Sequence, residues 1–336
     1  MGSISRRAIA LSAGTLVKEN NLLPDSPLPL LIQPTVDGVD LIQWAGANRA
    51  LILTKLRTHG GILFRGFAVA SIEAFEAFMS ALSDDLLDYS YRSTPRTLVS
   101  GKIYTSTEYP SHQTIPLHNE MSYSRRWPML LGFFCVEAAT KGGETPIADS
   151  RRVFARISPA IRERFTEKGV MYVRNYGDVL DLPWQDVFQT ADRAVVQDYC
   201  RTNGIEFEWR GENELRTSQV CQAVARHPVT GEMVWFNQSH LFQVSSLNPE
   251  IRESLMVAAG REPPRNALYG DGSAIEDAVL DEIRATYEQE AVVFPWEKRD
   301  ILILDNMLAA HGRKPYRGAR KIVVGMAQSF GSGAVF

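Results

Sequence analysis

The sequence predicts a mainly β fold, a β-sandwich or barrel with helices packed outside it. Strand-like apolar runs occur at residues 130–136, 300–304 and 321–326, and such runs are typical of buried strands. Helical segments are inserted between the strands without the regular alternation of a doubly wound sheet. No internal repeat, low-complexity tract or linker divides the sequence, so one domain is predicted over residues 1–336.

The amino-terminal part of the chain is predicted to contribute helices and one short strand. Residues 1–30 are expected to form an extension that packs on the domain. Apolar positions at helical spacing over residues 41–58 predict a helix that ends at Gly60, and residues 62–67 then read as a short buried strand. Ser71 is a suitable N-cap for the next helix. One face of that helix carries Phe75, Phe78, Met79 and Leu82.

The middle and end of the chain supply further helices and a hairpin. Pro159 follows Ser158 at the favoured first position of a helix, and Gly204 is a natural stop for a helix over residues 192–201. Gly231 gives the turn of a hairpin. The predicted elements are helices from about residue 150, from residue 158, over 192–201 and over 274–290, and a hairpin over 224–236.

Composition narrows the classes of partner. The formal net charge is -3 and no sustained basic run occurs, so neither nucleic acid nor an anionic membrane surface is indicated as a partner. The stretch of apolar residues after Arg7 loosely imitates a signal peptide but lacks a convincing cleavage site, and no run approaches the roughly 18 apolar residues of a membrane span. Three scattered cysteines form no disulfide framework. A cytoplasmic protein is predicted.

One tripeptide, His118-Asn119-Glu120, carries the first sign of chemistry. In an extended chain, residues two apart project on the same side, so the imidazole of His118 and the carboxylate of Glu120 can reach one point. His311 is the best candidate for a third ligand. Two imidazoles and one carboxylate bind one face of an octahedral iron(II) ion and leave positions for a bidentate cosubstrate and dioxygen. The HExxH pattern of zinc proteases is absent.

A cosubstrate such as 2-oxoglutarate needs a cation and a hydroxyl donor for its distal carboxylate. Arginine is the natural partner of a planar carboxylate. Arg320, at the start of the last predicted strand, and Thr145, in a Gly-Gly-Glu-Thr segment, are the candidates. Arg313 and Arg317 lie on the same segment and compete with Arg320 for this role.

These motifs lie within longer stretches that resemble the taurine dioxygenase-type (TauD/TfdA) family of iron(II)- and 2-oxoglutarate-dependent oxygenases. The stretches are residues 116–150, with HNE, SYSRRWP and GGETPIADS, then RHPVTGEMVWFNQSH and LDNMLAAHGRKPYRGARKIVVGMA. Within that family the chain looks closest to amino-acid hydroxylases that accompany nonribosomal peptide synthesis. The resemblance runs from about residue 30 to the end and implies a double-stranded β-helix, the cupin-like jelly roll.

The resemblance also implies roles for particular residues. His118, Glu120 and His311 match the metal ligands, Thr145 matches the threonine that contacts 2-oxoglutarate, and Arg320 matches the cosubstrate arginine. The implied cofactors are Fe²⁺, 2-oxoglutarate and dioxygen, and no catalytic residue beyond the metal ligands is implied. The implied substrate is an amino acid or a small molecule derived from one, either free or tethered to a peptidyl carrier protein, in secondary metabolism.

Several alternatives stay open at this point. Halogenases that resemble the family have a small apolar residue where this chain has Glu120, so the acid favours hydroxylation over halogenation. Desaturation and cyclisation use the same ligands. A zinc-dependent hydrolase on a cupin-like barrel and a non-catalytic binding protein are the alternatives from other classes.

Candidates for substrate binding are Glu108, which could pair with an amine, together with Arg126 and Trp127, which closely follow the HNE tripeptide. Structural roles are predicted for Asn119, for the Asp305-Asn306 pair and for His227. His240 is a candidate for contact with a residue beside a metal ligand.

Overall fold

A computed structural model of the chain describes residues 16–89, 91, 94, 96–177, 182–246, 253 and 262–331. The strands of these residues are β1 (Val17–Leu23), β2 (Ser26–Pro34), β3 (Gly61–Phe64), β4 (Leu98–Ser100), β5 (Ile103–Thr105), β6 (Ile115–His118), β7 (Arg126–Glu137), β8 (Lys141–Gly142), β9 (Ile147–Asp149), β10 (Val170–Tyr176), β11 (Glu206–Trp209), β12 (Leu215–Cys221), β13 (Val224–Arg226), β14 (Met233–Trp235), β15 (Arg265–Tyr269), β16 (Ile301–Asp305), β17 (Ala309–Arg313), β18 (Tyr316–Arg317) and β19 (Lys321–Gly331).

The helices agree with most of the predicted ones. They are α1 (Leu41–Ala47), α2 (Arg49–His59), α3 (Ile72–Leu82), α4 (Ser150–Arg156), α5 (Pro159–Lys168), α6 (Trp184–Phe188), α7 (Arg193–Asn203), α8 (Ser239–Phe242) and α9 (Asp277–Glu290), with a 3₁₀ turn at Val244–Ser246. The single helix predicted over residues 41–58 is instead two helices. Asn48 divides them, because its side-chain amide donates to Trp44 O and competes with the backbone ladder.

Two facing sheets organise the fold. The larger one has eight strands in the order β1-β2-β3-β16-β7-β19-β5-β4, and the smaller one has three in the order β6-β17-β9. Apolar side chains from both sheets share one core cluster, with Phe133 and Leu302 from the larger sheet against Ile147 and Ala309 from the smaller. Burial of these side chains from water holds the layers together. The double-stranded β-helix predicted from the sequence is confirmed.

Helices cover the outer face of the larger sheet. Phe75 and Phe78 of α3 pack with Phe64 and Phe134 of the sheet, and the Phe75 and Phe134 rings stack with centroids 5.4 Å apart. Ser71 caps α3 as predicted, its hydroxyl accepting from Ala74 N at 3.2 Å. A third sheet, which is antiparallel, has the strand order β11-β12-β10-β15 and is formed by the middle of the chain.

Element ends differ from the predicted ones where pairing decides them. The strand predicted over residues 62–67 ends at Phe64, and the one predicted over 321–326 continues to Gly331 because β19 stays paired with β7 as far as Arg126. Of the predicted amino-terminal extension, residues 1–15 lie outside the described residues, while β1 and the start of β2 pair with each other. No helix in the described ranges is long and apolar enough to cross a membrane.

Candidate metal centre and cosubstrate site

The smaller sheet brings together three side chains from distant parts of the chain. His311 on β17 lies opposite His118 on β6 in an antiparallel pair, and the two imidazole centroids are 4.5 Å apart. Glu120 follows β6 by two residues. One potential ligand atom from each of the three side chains lies within 4.8 Å of the others. The geometry therefore places two imidazoles and one carboxylate around a common point.

Each histidine has a ring nitrogen available on the side of the cluster. His118 Nδ1 is 2.8 Å from Pro116 O, so Nδ1–H donates to this carbonyl and Nε2 is left as an acceptor. His311 Nε2 is 3.8 Å from Glu120 Oε2, which is too long for a hydrogen bond. Desolvation by burial lowers the pKa of His118 and lowers that of His311 well below its usual value. Both imidazoles are therefore neutral near pH 7, as a metal ligand must be.

The backbone of Glu120 is fixed by one buried amide. Asn306 Oδ1 accepts from Glu120 N at 2.7 Å, and Asn306 Nδ2 donates to Glu120 O at 2.9 Å and to Pro128 O at 2.8 Å. Asn119 Nδ2 donates in turn to Asn306 O at 2.6 Å and to Ser150 Oγ at 3.0 Å. The residues before His311 thus hold the HNE tripeptide, and Asn119 and Asn306 have the structural contacts that the sequence predicts.

A second buried contact holds the turn before β17. His227 Nδ1 accepts from Val229 N at 3.2 Å and from Thr230 N at 3.0 Å, so the proton is on Nε2, which donates to Asp305 Oδ2 at 3.1 Å. Asp305 Oδ1 accepts from Met307 N at 3.0 Å. His227 and Asp305 therefore join the hairpin to the segment that leads to His311, in the structural roles predicted for them.

His240 supports the strand of the proximal histidine. His240 Nε2 is 3.0 Å from Leu117 O, the carbonyl next to His118, and its ring lies 4.8 Å from that of Tyr287. Desolvation by burial lowers the pKa of His240 to about 3. The neutral ring therefore donates to Leu117 O from Nε2 and steadies β6.

Arg320 and Thr145 line the same cavity as His118 and His311. Arg320 makes one hydrogen bond within the described residues, from Nε to Gly143 O at 2.9 Å, which leaves the ends of its guanidinium for a ligand. Trp296 Nε1 donates to Thr145 Oγ1 at 3.0 Å, so the Thr145 hydroxyl hydrogen is free to be donated. Burial lowers the pKa of Arg320 to about 10, and the group stays cationic near pH 7.

The two competing arginines differ from Arg320. Arg313 also lines the cavity, but its guanidinium donates to backbone carbonyls at distances of 2.7 to 3.5 Å. These carbonyls belong to Thr107, Tyr109, Pro110 and Gln113. Arg317 is exposed on β18 and does not line the cavity. Arg320 is thus the arginine whose donors remain available beside the metal cluster.

Two of the predicted substrate-binding residues do not reach this site. Trp127 is buried in a separate apolar cluster, 4.8 Å from the Phe236 ring and 5.5 Å from the Phe330 ring. Arg126 is exposed at the start of β7, paired with Gly331. Proximity in sequence misled the prediction here, because the start of β7 lies away from the cluster. Phe133, further along the same strand, lines the cavity, and its ring centroid is 5.1 Å from that of His311. Glu108 lines a neighbouring cavity.

Arg96 contacts the metal cluster directly, and no feature of the sequence indicated this contact. Its Nη2 is 2.6 Å from Glu120 Oε2, and each side chain is 4% exposed. Its guanidinium also lies 4.6 Å from the centroid of the Tyr89 ring, a cation–π contact. No periodicity or motif links Arg96 to Glu120 across the chain, so only the folded backbone reveals the pair.

These residues fit an iron ion with 2-oxoglutarate. The donor set has the softness and charge that suit a ferrous ion with open positions. The free guanidinium ends of Arg320 and the oriented hydroxyl of Thr145 suit a carboxylate in the same cavity. The fold and the site together define an iron(II)- and 2-oxoglutarate-dependent dioxygenase.

Comparisons with known proteins agree with this class. Residues 24–327 match the family described as taurine catabolism dioxygenase TauD, TfdA family. The chain belongs to this family. It is similar to the dapdiamide synthesis protein DdaC of Enterobacter agglomerans, with 42% identity over 272 residues that cover 81% of this chain and 83% of that protein.

Two further proteins are similar over nearly their whole length. A clavaminate synthase-like protein of Arabidopsis thaliana is 28% identical, covering 94% of this chain and 98% of its own. The structure of PvcB, an Fe, alpha-ketoglutarate dependent oxygenase from an isonitrile synthetic pathway, superposes with a TM-score of 0.56 at 15% identity, covering 97% and 98% of the two chains. The enzyme takes Fe²⁺, 2-oxoglutarate and dioxygen and acts on a small molecule, so the hydrolase and non-catalytic alternatives are set aside.

Proposed function

We propose that this enzyme hydroxylates an amino acid, or a small molecule derived from one, in secondary metabolism. The observation that carries the proposal is the convergence of His118, Glu120 and His311, whose two histidines line one cavity with Arg320 and Thr145. The similarity to a dapdiamide synthesis protein supports the metabolic setting. The chain acts as one domain over residues 1–336 in the cytoplasm, where its three buried free cysteines are stable as thiols.

In the proposed arrangement His118, Glu120 and His311 hold the ferrous ion. Arg320 pairs with the distal carboxylate of 2-oxoglutarate, and Thr145 donates its hydroxyl hydrogen to the same group, held in that orientation by Trp296. The bound iron, 2-oxoglutarate and dioxygen supply an oxidant that removes hydrogen from an unactivated carbon. The chain orients the reactants and excludes water from them.

The second candidate reaction is desaturation or cyclisation on the same ligands. Glu120 supports oxygen chemistry over halogenation, because its carboxylate takes the place that a halide would need. Mass spectrometry of the product separates the remaining outcomes. Hydroxylation adds one oxygen atom to the substrate, whereas desaturation and cyclisation remove two hydrogen atoms. A product without added oxygen would contradict the proposal and leave the cofactor assignment intact.

We further propose that the substrate is presented either free or on a peptidyl carrier protein. The two modes are separated by giving the enzyme the same amino acid in solution and as a carrier thioester, and by measuring product from each. Turnover restricted to the thioester identifies the carrier as a partner, and turnover of the free acid contradicts that partner.

The central test is anaerobic addition of Fe²⁺ and 2-oxoglutarate, followed by visible absorption and, in air, by succinate formation. We expect a metal-to-ligand charge-transfer band and iron-dependent succinate. His118→Ala and Glu120→Ala should each lose more than about 100-fold in metal affinity, since even residues that only orient ligands carry 10- to 100-fold. His112→Ala, an exposed histidine outside the cluster, is the control. Absence of the band in the wild-type protein would contradict the proposal.

A further inference from the structure

Only part of the hydrogen-bonding capacity of the Arg96 guanidinium is used within the described residues. One nitrogen, Nη2, makes the ion pair with Glu120, but Nε and Nη1 are buried and have no hydrogen-bond partner among the residues that the structure describes. The residue is 7% exposed. A buried guanidinium nitrogen without a partner costs free energy, because it has lost water and gained nothing in exchange. Among the arginines of the described residues, Arg96 is the one with two such nitrogens, and an acceptor that entered beside the metal cluster would satisfy them.

Arg96 is also the residue that two cavities share. It lines the cavity of the metal cluster and a second cavity of about 250 Å³. The wall of the second cavity includes the carboxylates of Glu108 and Asp186 and the amide of Gln185. Glu108 Oε1 accepts from Thr105 Oγ1 at 2.8 Å, and no contact is described for its Oε2. The second cavity is therefore lined by one buried cation, which also lines the cavity of the metal cluster, and by two exposed carboxylates, here called its rim.

The charges of the loaded site point to the same ligand. Arg96 neutralises Glu120, and both imidazoles are neutral, so a ferrous ion with the 2-oxoglutarate dianion and Arg320 leaves positive charge in excess. An anionic group of the substrate at Arg96 would balance it. A carboxylate accepts a charged hydrogen bond from a guanidinium N–H, and such a bond is stronger than one to a neutral oxygen.

We propose that Arg96 binds the carboxylate of a zwitterionic amino-acid substrate lying in the second cavity, with its ammonium group at Glu108 and Asp186. This inference rests on the proposed function. It names the head group of the substrate and the residues that select it, and it requires a free carboxylate, which a thioester to a carrier protein would consume.

The experiment uses the visible band of the anaerobic enzyme with Fe²⁺ and 2-oxoglutarate. The probes are the twenty proteinogenic L-amino acids, and each one that perturbs the band is compared with its primary amide and with its des-amino acid. We expect at least one amino acid to bind, and its amide to bind about 10- to 100-fold more weakly, the loss of a charged hydrogen bond.

Variants assign the effect to residues. Arg96→Gln should remove the preference for acid over amide, and Arg96→Lys should keep part of it. The exposed pair Glu108→Gln and Asp186→Asn should reduce the preference for amino acid over des-amino acid while leaving the acid-over-amide preference unchanged. These rim variants and Arg96→Lys carry the test if Arg96→Gln does not fold. Arg164→Gln, which breaks a surface pair with Glu276 and lines neither cavity, is the control.

The possible outcomes distinguish failure of the role proposed for Arg96 from failure of the proposed dioxygenase function. A missing band in the wild-type enzyme rejects the proposed function itself. A normal band with no response to any of the amino acids, or an equal response to acid and amide, rejects the role of Arg96 and leaves the function standing. A response to carrier-loaded amino acids alone rejects it as well.

Discussion

The metal cluster and the second cavity adjoin at Arg96 but are built in opposite ways. Around the cluster, Asn306 bonds three backbone groups and every partner is buried. At the second cavity, Glu108 and Asp186 are exposed. We infer that the two regions have different tasks. The buried hydrogen bonds of Asn306, here called the frame, hold the residues of the metal cluster in place. The exposed carboxylates of the rim, Glu108 and Asp186, can differ with the substrate.

Two arginines repeat this contrast inside one cavity. Arg313 donates to a ring of loop carbonyls, and Arg320 donates to a single one. Both Nη atoms of Arg313 donate to these carbonyls, although its Nε has no described partner. The Nη atoms of Arg320 have no hydrogen bond among the described residues. We therefore expect the end of the Arg320 guanidinium, and not that of Arg313, to be available to a ligand.

The largest effect should come from breaking the frame. Asn306→Leu leaves two carbonyls and one N–H without partners in a buried place, at about 1–3 kcal/mol each. We expect a loss of about 3 kcal/mol or more in the free energy of unfolding, and metal binding weakened about 10- to 100-fold. Denaturant unfolding and metal titration measure the two quantities. Asn203→Leu, which removes one bond to Tyr199 O, should cost less and spare the metal.

Replacing each of the two arginines by methionine should separate the residue needed for stability from the residue needed for cosubstrate binding. Arg313→Met strands several carbonyls and should lower the free energy of unfolding by about 2–4 kcal/mol. Arg320→Met should change stability little but weaken 2-oxoglutarate binding about 10- to 100-fold, as loss of a charged pair does. Denaturant unfolding and titration of the visible band test both. The reverse pattern would show that the assignment of these residues is wrong.

A smaller effect is expected at Trp296. Trp296→Phe keeps an aromatic side chain but removes the indole N–H that orients the Thr145 hydroxyl. One neutral hydrogen bond contributes about 0.5–1.5 kcal/mol, so 2-oxoglutarate affinity should fall about 2- to 10-fold. Thr145→Val should give a similar or larger loss, and combining the two should add little if they act together. Fully additive losses would mean that Trp296 acts independently of Thr145.

The smallest effect belongs to the rim. Glu108→Gln and Asp186→Asn replace exposed carboxylates, so each should change the free energy of unfolding by less than about 0.5 kcal/mol. Denaturant unfolding at neutral pH measures this. A loss comparable to that of Asn306→Leu would remove the distinction between frame and rim.

His118 and Glu120 could be predicted as a pair because their relation is local. His118 and Glu120 share one face of an extended segment, and His311 lies in a distinctive stretch. Strand-forming apolar runs similarly foretold β7, β16 and β19. The choice among Arg313, Arg317 and Arg320 could not be made from the sequence, since it depends on which loop carbonyls fold beneath each side chain.

Contacts between distant elements could not be predicted from the sequence, as three residues show: Arg96, Arg126 and Trp127. Arg96 meets Glu120 only through tertiary packing, with no periodicity to announce it. Arg126 and Trp127 looked promising because they follow the HNE tripeptide closely. Trp127, at the start of β7, lies in an apolar cluster instead, whereas Phe133 of the same strand lines the cavity. Distance along the chain predicts contact only within a single element.

The pairing of β6 with β17 has a consequence for biogenesis. Because His118 and His311 become neighbours only when this pair forms, the chain must have left the ribosome at least as far as residue 311 before the three proposed ligands can meet. We therefore expect nascent chains, and chains cut before residue 311, to lack the complete set of proposed metal ligands.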